Sequence, residues 1–309
     1  MRNHICIWLG TFKRPKMLDN TLKSFCEVEI PEGYDVSLII LDNDETGSAK
    51  ETVDRNISNI PFTTYYEINP VRGTVSQRNT FINKTLNGSY SHAVMVDDDE
   101  TAKKQWLVRM VDTLNQYDAD VVDGAVERVL PEDTPKWMIK GKFFEWHSFK
   151  TGSIRRAASG ANCLFKVKLI KEMGLRFNTA FNLSGGSDTF FFTEATNKGA
   201  KIVWLDERLV NEYFPKSRTT KKWILMRAFR RTSSKFNRKR LEMGYSRAAV
   251  TYFFNGVFQL FSGIVLTVIS IPFGPIPRIH SLRIFYKGLG TFNGILGREY
   301  QEYKKTHGE

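Results

Sequence analysis

Three consecutive aspartates, Asp97-Asp98-Asp99, follow directly on the apolar run Ala93-Val94-Met95-Val96, and this junction constrains the fold more than any other stretch of the chain. The apolar run has the length and residue types of a strand buried on both faces. The acids therefore emerge at its C-terminal end, the side of an open α/β sheet on which ligands bind. Adjacent carboxylates repel, and holding several at the edge of a core is costly unless positive charge joins them. A divalent cation carrying a phosphorylated substrate meets that need, because Mg²⁺ and Mn²⁺ prefer carboxylate oxygen and share it with phosphates. The alternative for the same residues is a solvated acidic turn.

The first half of the chain alternates short apolar runs with amphipathic stretches, the pattern of βαβ units and a largely parallel sheet. Strands are expected at Ile5 to Leu9, Val36 to Leu41, Thr63 to Ile68, Ala93 to Val96 and Ala119 to Val122. Helices are expected from about Lys16 to Cys26, Thr74 to Leu86 and Trp106 to Gln116. Polar motifs end the strands: Thr11-Phe12-Lys13-Arg14-Pro15 after the first, Asp42-Asn43-Asp44 after the second, and the aspartate triplet after the fourth. In a parallel sheet these endings converge on one rim and offer hydroxyl, carboxylate and guanidinium groups to a nucleotide. Taken singly, each is equally an ordinary helix cap. Gly124 to Gly186 is irregular and rich in Phe, Trp, Lys and Gly, with basic loops at Lys140-Gly141-Lys142 and Arg155-Arg156. Short helices at Val167 to Met173 and Asp188 to Asn197 and a strand at Ile202 to Leu205 follow.

The formal net charge of +12 is concentrated in Lys216 to Arg247, where Glu242 is the one acid. Such a block favours an anionic partner: nucleic acid, a phospholipid surface or a nucleotide's phosphates. Cys6, Cys26 and Cys163 show no zinc or CxxC spacing and read as reduced thiols of a cytosolic protein. The N-terminal stretch lacks the pattern of a secretion signal, which places the catalytic part in the cytoplasm. Residues 248–273 carry no charge and are long enough for a hydrocarbon core of roughly 30 Å. Asn255, Gln259 and two glycines interrupt that run, prolines end it, and positive charge flanks both ends. A single span, an in-plane or re-entrant hairpin and a buried soluble helix are the three arrangements it allows.

The ordered set of motifs resembles the family 2 glycosyltransferases, inverting enzymes of the GT-A fold that use nucleotide-activated sugars. The matching residues are Thr11 to Pro15, Ile39-Ile40-Leu41-Asp42-Asn43-Asp44, Arg72-Gly73, Arg78-Asn79, Val96-Asp97-Asp98-Asp99-Glu100 and Gly185-Gly186-Ser187-Asp188-Thr189-Phe190-Phe191. The similarity is greatest to transferases that build bacterial exopolysaccharide repeat units on a polyprenyl carrier. It implies an α/β, Rossmann-like GT-A domain over residues 1–235, with a nucleotide-binding half to about 123 and an acceptor half over 124–235. A basic and hydrophobic membrane-associating tail would fill 236–309.

By this resemblance Thr11, Arg14, Asp42, Arg78, Asp97 and Asp98 bind the donor nucleotide. Asp42 would contact the base, Arg78 would lie near the base or diphosphate, and Asp98 would face the ribose. Asp97 and Asp99 fill the family's Asp-x-Asp motif, with Asp99 as the direct ligand of Mn²⁺ or Mg²⁺. Asp188 is the implied general base for the acceptor hydroxyl. The family usually has Glu-Asp there, and this chain has Ser187-Asp188 after Ser184-Gly185-Gly186. Arg230 and Arg231 match a basic segment that closes over the diphosphate, as bidentate guanidinium groups can; Arg218 and Lys222 are weaker candidates. The implied reaction moves a sugar from a nucleoside-diphosphate sugar, a UDP-sugar foremost, to a polyprenyl-diphosphate-linked saccharide at the cytoplasmic membrane face. Membrane lipid is then a partner and nucleic acid is not.

Nucleotidyl transfer to a sugar phosphate is the competing reaction, and it ordinarily needs a Gly-rich phosphate loop that Thr11 to Pro15 lacks. A nucleic-acid-binding protein and a non-catalytic membrane scaffold are the non-enzymatic alternatives. The histidines form no ligand spacing. Trp137, Phe143, Phe144 and Trp146 read as core packing before a sugar-stacking platform.

Overall fold

A computed structural model of the chain describes residues 2–145, 148–182 and 185–298. Trp146 and Ser184, named above, lie outside the described residues, as do the histidines His147 and His307. From the N-terminus, β1 (Asn3–Thr11) leads to α1 (Pro15–Phe25), β2 (Tyr34–Asp42), α2 (Lys50–Asn56), β3 (Thr63–Ile68), α3 (Thr74–Asn87), β4 (His92–Asp97), β5 (Glu100–Ala102) and α4 (Trp106–Gln116). There follow β6 (Val121–Val129), α5 (Lys136–Lys140), β7 (Ile154–Arg155), β8 (Cys163–Lys166), α6 (Lys168–Met173), α7 (Ser187–Asn197) and β9 (Ile202–Tyr213). Three long helices complete the chain: α8 (Lys221–Met243), α9 (Tyr245–Ile269) and α10 (Pro275–Ile295).

The strands form one sheet in the order β3-β2-β1-β4-β8-β6-β9-β5, with β7 beside β9. β3, β2, β1 and β4 run parallel, as the apolar runs predict. The other half is mixed: β8 lies antiparallel between β4 and β6, β6 is parallel to β9, and β5 and β7 are antiparallel to β9. Period-2 alternation in β1 sends Ile5, Ile7 and Leu9 to one face and Cys6 and Trp8 to the other, and both faces are covered. Helices α1 and α4 cover the first through Leu18, Leu22, Phe25 and Trp106; α3, α6 and α7 cover the second through Phe81, Leu169, Phe191 and Phe192. Register then places Thr11 opposite Asp42 and Gly10 opposite Asp97, so three polar strand ends share one rim.

The expected divisions at 123/124 and 235/236 fall inside continuous elements, β6 and α8. α9 and α10 form an antiparallel pair, tied by the Tyr245 hydroxyl donating to the Ile295 carbonyl at 2.8 Å. Gly290 lets α10 approach α8 closely: a Cβ there would lie 2.0 Å from the Phe229 carbonyl oxygen. α10 is anchored to the catalytic part by Ile279, which packs with Met138, Phe143, Phe144, Phe214 and Ile224. Phe143 and Phe144 are buried in this cluster, in keeping with a packing role. α9 is the one helix among the described residues long and apolar enough to cross a membrane. It is not a buried core helix, because Phe254, Phe258 and Phe261 are each 70% exposed. Cys6, Cys26 and Cys163 are free thiols.

Candidate active site

A cleft of about 1580 Å³ opens at the C-terminal ends of β1 and β4 and continues past α7 to α8, α9 and α10. At its floor the Thr11 hydroxyl donates to Asp98 Oδ2 at 2.8 Å, and Arg14 Nη1 donates to Asp98 Oδ1 at 2.8 Å. The Thr21 hydroxyl donates to the Asp98 carbonyl at 3.0 Å, pinning the turn to α1. Burial pushes the Asp98 carboxyl up, Arg14 opposes this, and Asp99 adds to it. Both Asp98 oxygens are thus engaged by the chain itself.

Asp97 opens into the cleft, yet sits deep enough that desolvation, with Asp99, pushes its carboxyl up to about 7; Arg78 opposes the shift. Glu100 is buried, its Oε2 accepts from the Asp97 amide at 2.9 Å, and burial beside Asp97 raises it well above the usual range. Asp99 lies 3.3 Å from Arg218 Nη1 and 3.6 Å from Arg14 Nη1. Arg218 also reaches Glu212 at 3.5 Å, and Glu212 accepts from Arg128 Nε at 3.0 Å. The result is a knot of carboxylates and guanidiniums at the floor of the cleft.

Among the described residues no three His, Cys, Asp or Glu side chains converge into a ready-made metal cage. Mg²⁺ and Mn²⁺ do not require one, since such ions are commonly held by one or two carboxylates with substrate phosphates and water completing the shell. Asp97 and Asp99 fit that donor set: both line the cleft and both are hard oxygen donors.

Asp42 is fully buried and does not line the cleft. Its Oδ1 accepts from the Asp44 amide at 2.9 Å, and its Oδ2 from the Ala49 amide and the Tyr66 hydroxyl, each at 2.9 Å. Those bonds shape the loop after β2, whose Asn43 reaches the cleft. Asn43 Nδ2 donates to the Asn69 and Val71 carbonyls at 2.7 and 3.2 Å. Phe12 lines the same end, with the Arg72 guanidinium 4.9 Å over its ring.

Asp188 enters the cleft from the first turn of α7, after Gly185 and Gly186, whose φ of 76° and 93° suit residues without a Cβ. Its Oδ2 accepts from the Gly160 amide at 2.8 Å. Next to it, Asp123 Oδ1 accepts from both the Ser159 amide and hydroxyl at 3.0 Å. Burial pushes Asp123 up to about 6, the Ser159 bonds oppose this, and Asp188 adds to it. Arg78 Nη1 donates to the Ser187 hydroxyl at 2.8 Å, so Arg78 stands between Asp97 and the turn bearing Asp188.

Arg230 and Arg231 line the cleft with Arg227 and Trp223; Lys222 does not. Arg227 is pulled down to about 8 by burial and by Arg128, Arg231 and Arg230. The Trp223 indole N–H is buried without a hydrogen-bond partner among the described residues. The structure therefore brings together Thr11, Arg14, Arg78, Asp97, Asp98, Asp99, Asp188, Arg230 and Arg231, and leaves Asp42 beneath the rim. Sequence reasoning missed Asp123, Arg128 and Glu212. A signal existed for Asp123, a charge inside the apolar run Val121-Val122-Asp123-Gly124-Ala125.

The family description Glycosyl transferase family 2 matches residues 6–174, more than half of the chain. The succinoglycan biosynthesis protein ExoM of Rhizobium meliloti is 31% identical over 231 residues, covering 74% of this chain and 72% of ExoM. The chain belongs to glycosyl transferase family 2, and it is a glycosyltransferase. Solved structures show the same fold at low identity. The mannosyltransferase PcManGT from Pyrobaculum calidifontis, in complex with GDP-Man and Mn2+, aligns with a TM-score of 0.65 at 15% identity, over 97% of this chain and 89% of that one. S. aureus TarS 1-349 in complex with UDP-GlcNAc aligns with a TM-score of 0.55 at 13% identity, over 96% and 93%. These likenesses identify the sheet and its flanking helices as GT-A. Family membership sets aside nucleotidyl transfer.

Proposed function

We propose that this enzyme transfers a sugar, with inversion, from a nucleoside-diphosphate sugar to a lipid-linked saccharide during exopolysaccharide synthesis. A UDP-sugar is the leading donor and a polyprenyl-diphosphate-linked saccharide the acceptor. The observation that carries this reading is the meeting of Asp97 and Asp99 with Asp188 in one cleft, with Arg78 between them. Relationship to ExoM, a succinoglycan biosynthesis protein, supports the polysaccharide context. The exposed apolar face of α9 supports attachment to the membrane, with the basic block turned toward its cytoplasmic leaflet.

In this mechanism Phe12, Asn43 and Arg72 receive the base, and Asp42 acts through the loop it anchors. Asp98, already bonded to Thr11 and Arg14, fixes the ribose end. Asp97 and Asp99 would hold Mn²⁺ or Mg²⁺; when bound, the ion neutralises charge building on the departing diphosphate. Arg218, Arg230 and Arg231 supply further positive charge there. Asp188 takes the proton of the acceptor hydroxyl as its oxygen bonds to the anomeric carbon and the bond from that carbon to phosphate breaks. The Gly160 amide bond to Oδ2 holds the carboxylate in position.

A panel of UDP-, GDP- and TDP-sugars with Mn²⁺, read by thermal unfolding, tests the donor assignment. A ligand at 100 times its Kd stabilises by about 2.7 kcal/mol. The expected result is stabilisation by UDP-sugars that EDTA or Asp99→Ala removes. No shift with any nucleotide sugar would overturn the reading.

A further inference from the structure

Beyond the donor site the cleft runs between α8, α9 and α10, where its wall changes character. The outer face of α9 is apolar, but Thr251, Asn255 and Gln259 line the cleft. Their four-residue spacing aligns them on one side of the helix. Asn255 and Gln259, the side chains that interrupt the apolar tail in the sequence, thus belong to a cleft wall.

Facing that stripe, α8 contributes Arg231 and Lys235 and α10 contributes Lys287. Arg283, one turn earlier on α10, is within electrostatic reach. Burial and then Arg283, Arg231 and Lys235 pull the Lys287 ammonium down, and burial with Arg231 does the same to Arg283. Among the described residues no carboxylate forms an ion pair with either. Four cations held this close repel one another, and an anion between them would relieve that cost.

The donor diphosphate already has its own partners around Asp97, Asp99 and Arg218. We propose that the Lys235–Lys287 end of the cleft is a second diphosphate site, which takes the isoprenoid diphosphate of the acceptor while its hydrocarbon chain leaves along the apolar face of α9. The proposal rests on the lipid-linked acceptor of the preceding reading. The location favours a substrate diphosphate over a bilayer headgroup, because the cations line a cleft continuous with Asp188. Lys235 and Lys287 are solvent-exposed but line that cleft, which Phe254, Phe258 and Phe261 do not.

The test uses the full chain and four probes: farnesyl diphosphate, farnesol, inorganic pyrophosphate and phosphatidylglycerol vesicles. Farnesyl diphosphate should bind more tightly than farnesol or pyrophosphate. The variant Lys235→Gln with Lys287→Gln should weaken it at least tenfold, while UDP with Mn²⁺ binds as in the wild type and certifies the fold. Undiminished farnesyl diphosphate binding by the variant overturns the site. So does a tenfold loss confined to phosphatidylglycerol vesicles, which would make these cations a headgroup contact. Wild-type binding of UDP without farnesyl diphosphate removes this site and leaves the transferase reading standing; binding of neither removes both.

Discussion

Arg14 is the cation on which the floor of the donor site rests. It bonds Asp98 at 2.8 Å and lies 3.6 Å from Asp99, and these two carboxylates are only 4% and 7% exposed. Arg14→Met keeps much of the side-chain volume and removes the charge. Asp98 then retains the Thr11 hydroxyl but loses its ion pair, and breaking a buried pair from one side costs about 3–5 kcal/mol. Burial already raises the Asp98 carboxyl, and losing Arg14 raises it further. The penalty is therefore present while the carboxyl is ionised and fades as pH falls and it protonates. Urea unfolding of wild type, Arg14→Met, Asp98→Asn and the double variant at pH 7.5 completes a cycle. The expected result is a loss of about 3–5 kcal/mol for Arg14→Met, largely recovered in the double variant. A loss below about 1 kcal/mol, the scale of a surface pair, or losses that simply add, would refute the reasoning.

Two further predictions concern the scaffold. Burial pulls His92 from 6.5 down to about 4, so the unfolded chain binds its proton first and stability falls as pH drops through that window. The shift corresponds to about 3 kcal/mol, and His92→Phe should flatten the pH dependence of urea unfolding between pH 7 and 4; an unchanged slope contradicts this. Gly290→Ala should destabilise the chain by about 1–3 kcal/mol through overpacking against α8, although Gly→Ala inside an open helix gains about 1 kcal/mol. Stabilisation would show that α10 does not hold this close approach to the Phe229 carbonyl.

The parallel half of the sheet was legible because β1, β2 and β4 are buried on both faces and read as nearly unbroken apolar runs. Their polar ends were legible because register, once the sheet is parallel, can only gather them on one rim. β5, β7 and β8 have three, two and four residues, too few for any periodicity to register. That brevity hid the antiparallel insertion in the second half of the sheet. Arg128 and Glu212 look like ordinary alternating polar residues of β6 and β9, and only pairing of those strands makes them partners. The role expected for Asp42 met a different obstacle: sequence gives a residue's place at a strand end, but not whether local amides and a distant tyrosine will claim its oxygens. In the tail, the apolar run announced α9 alone. α10 went unread because Gly288 packs on α9, Gly290 and Gly294 pack on α8 and Lys287 lines the cleft in three dimensions, without forming an apolar stripe in one.

The measurement closest to the central claim is sugar transfer by Asp188→Asn. The substitution keeps an oxygen for the Gly160 amide and removes the proton acceptor, and positioned general bases contribute about 10²–10⁴-fold to rate. Transfer from the UDP-sugar to the lipid-linked acceptor should fall by that factor, with Mn²⁺-dependent donor binding unchanged. Transfer within tenfold of wild type, at undiminished donor affinity, would contradict the account.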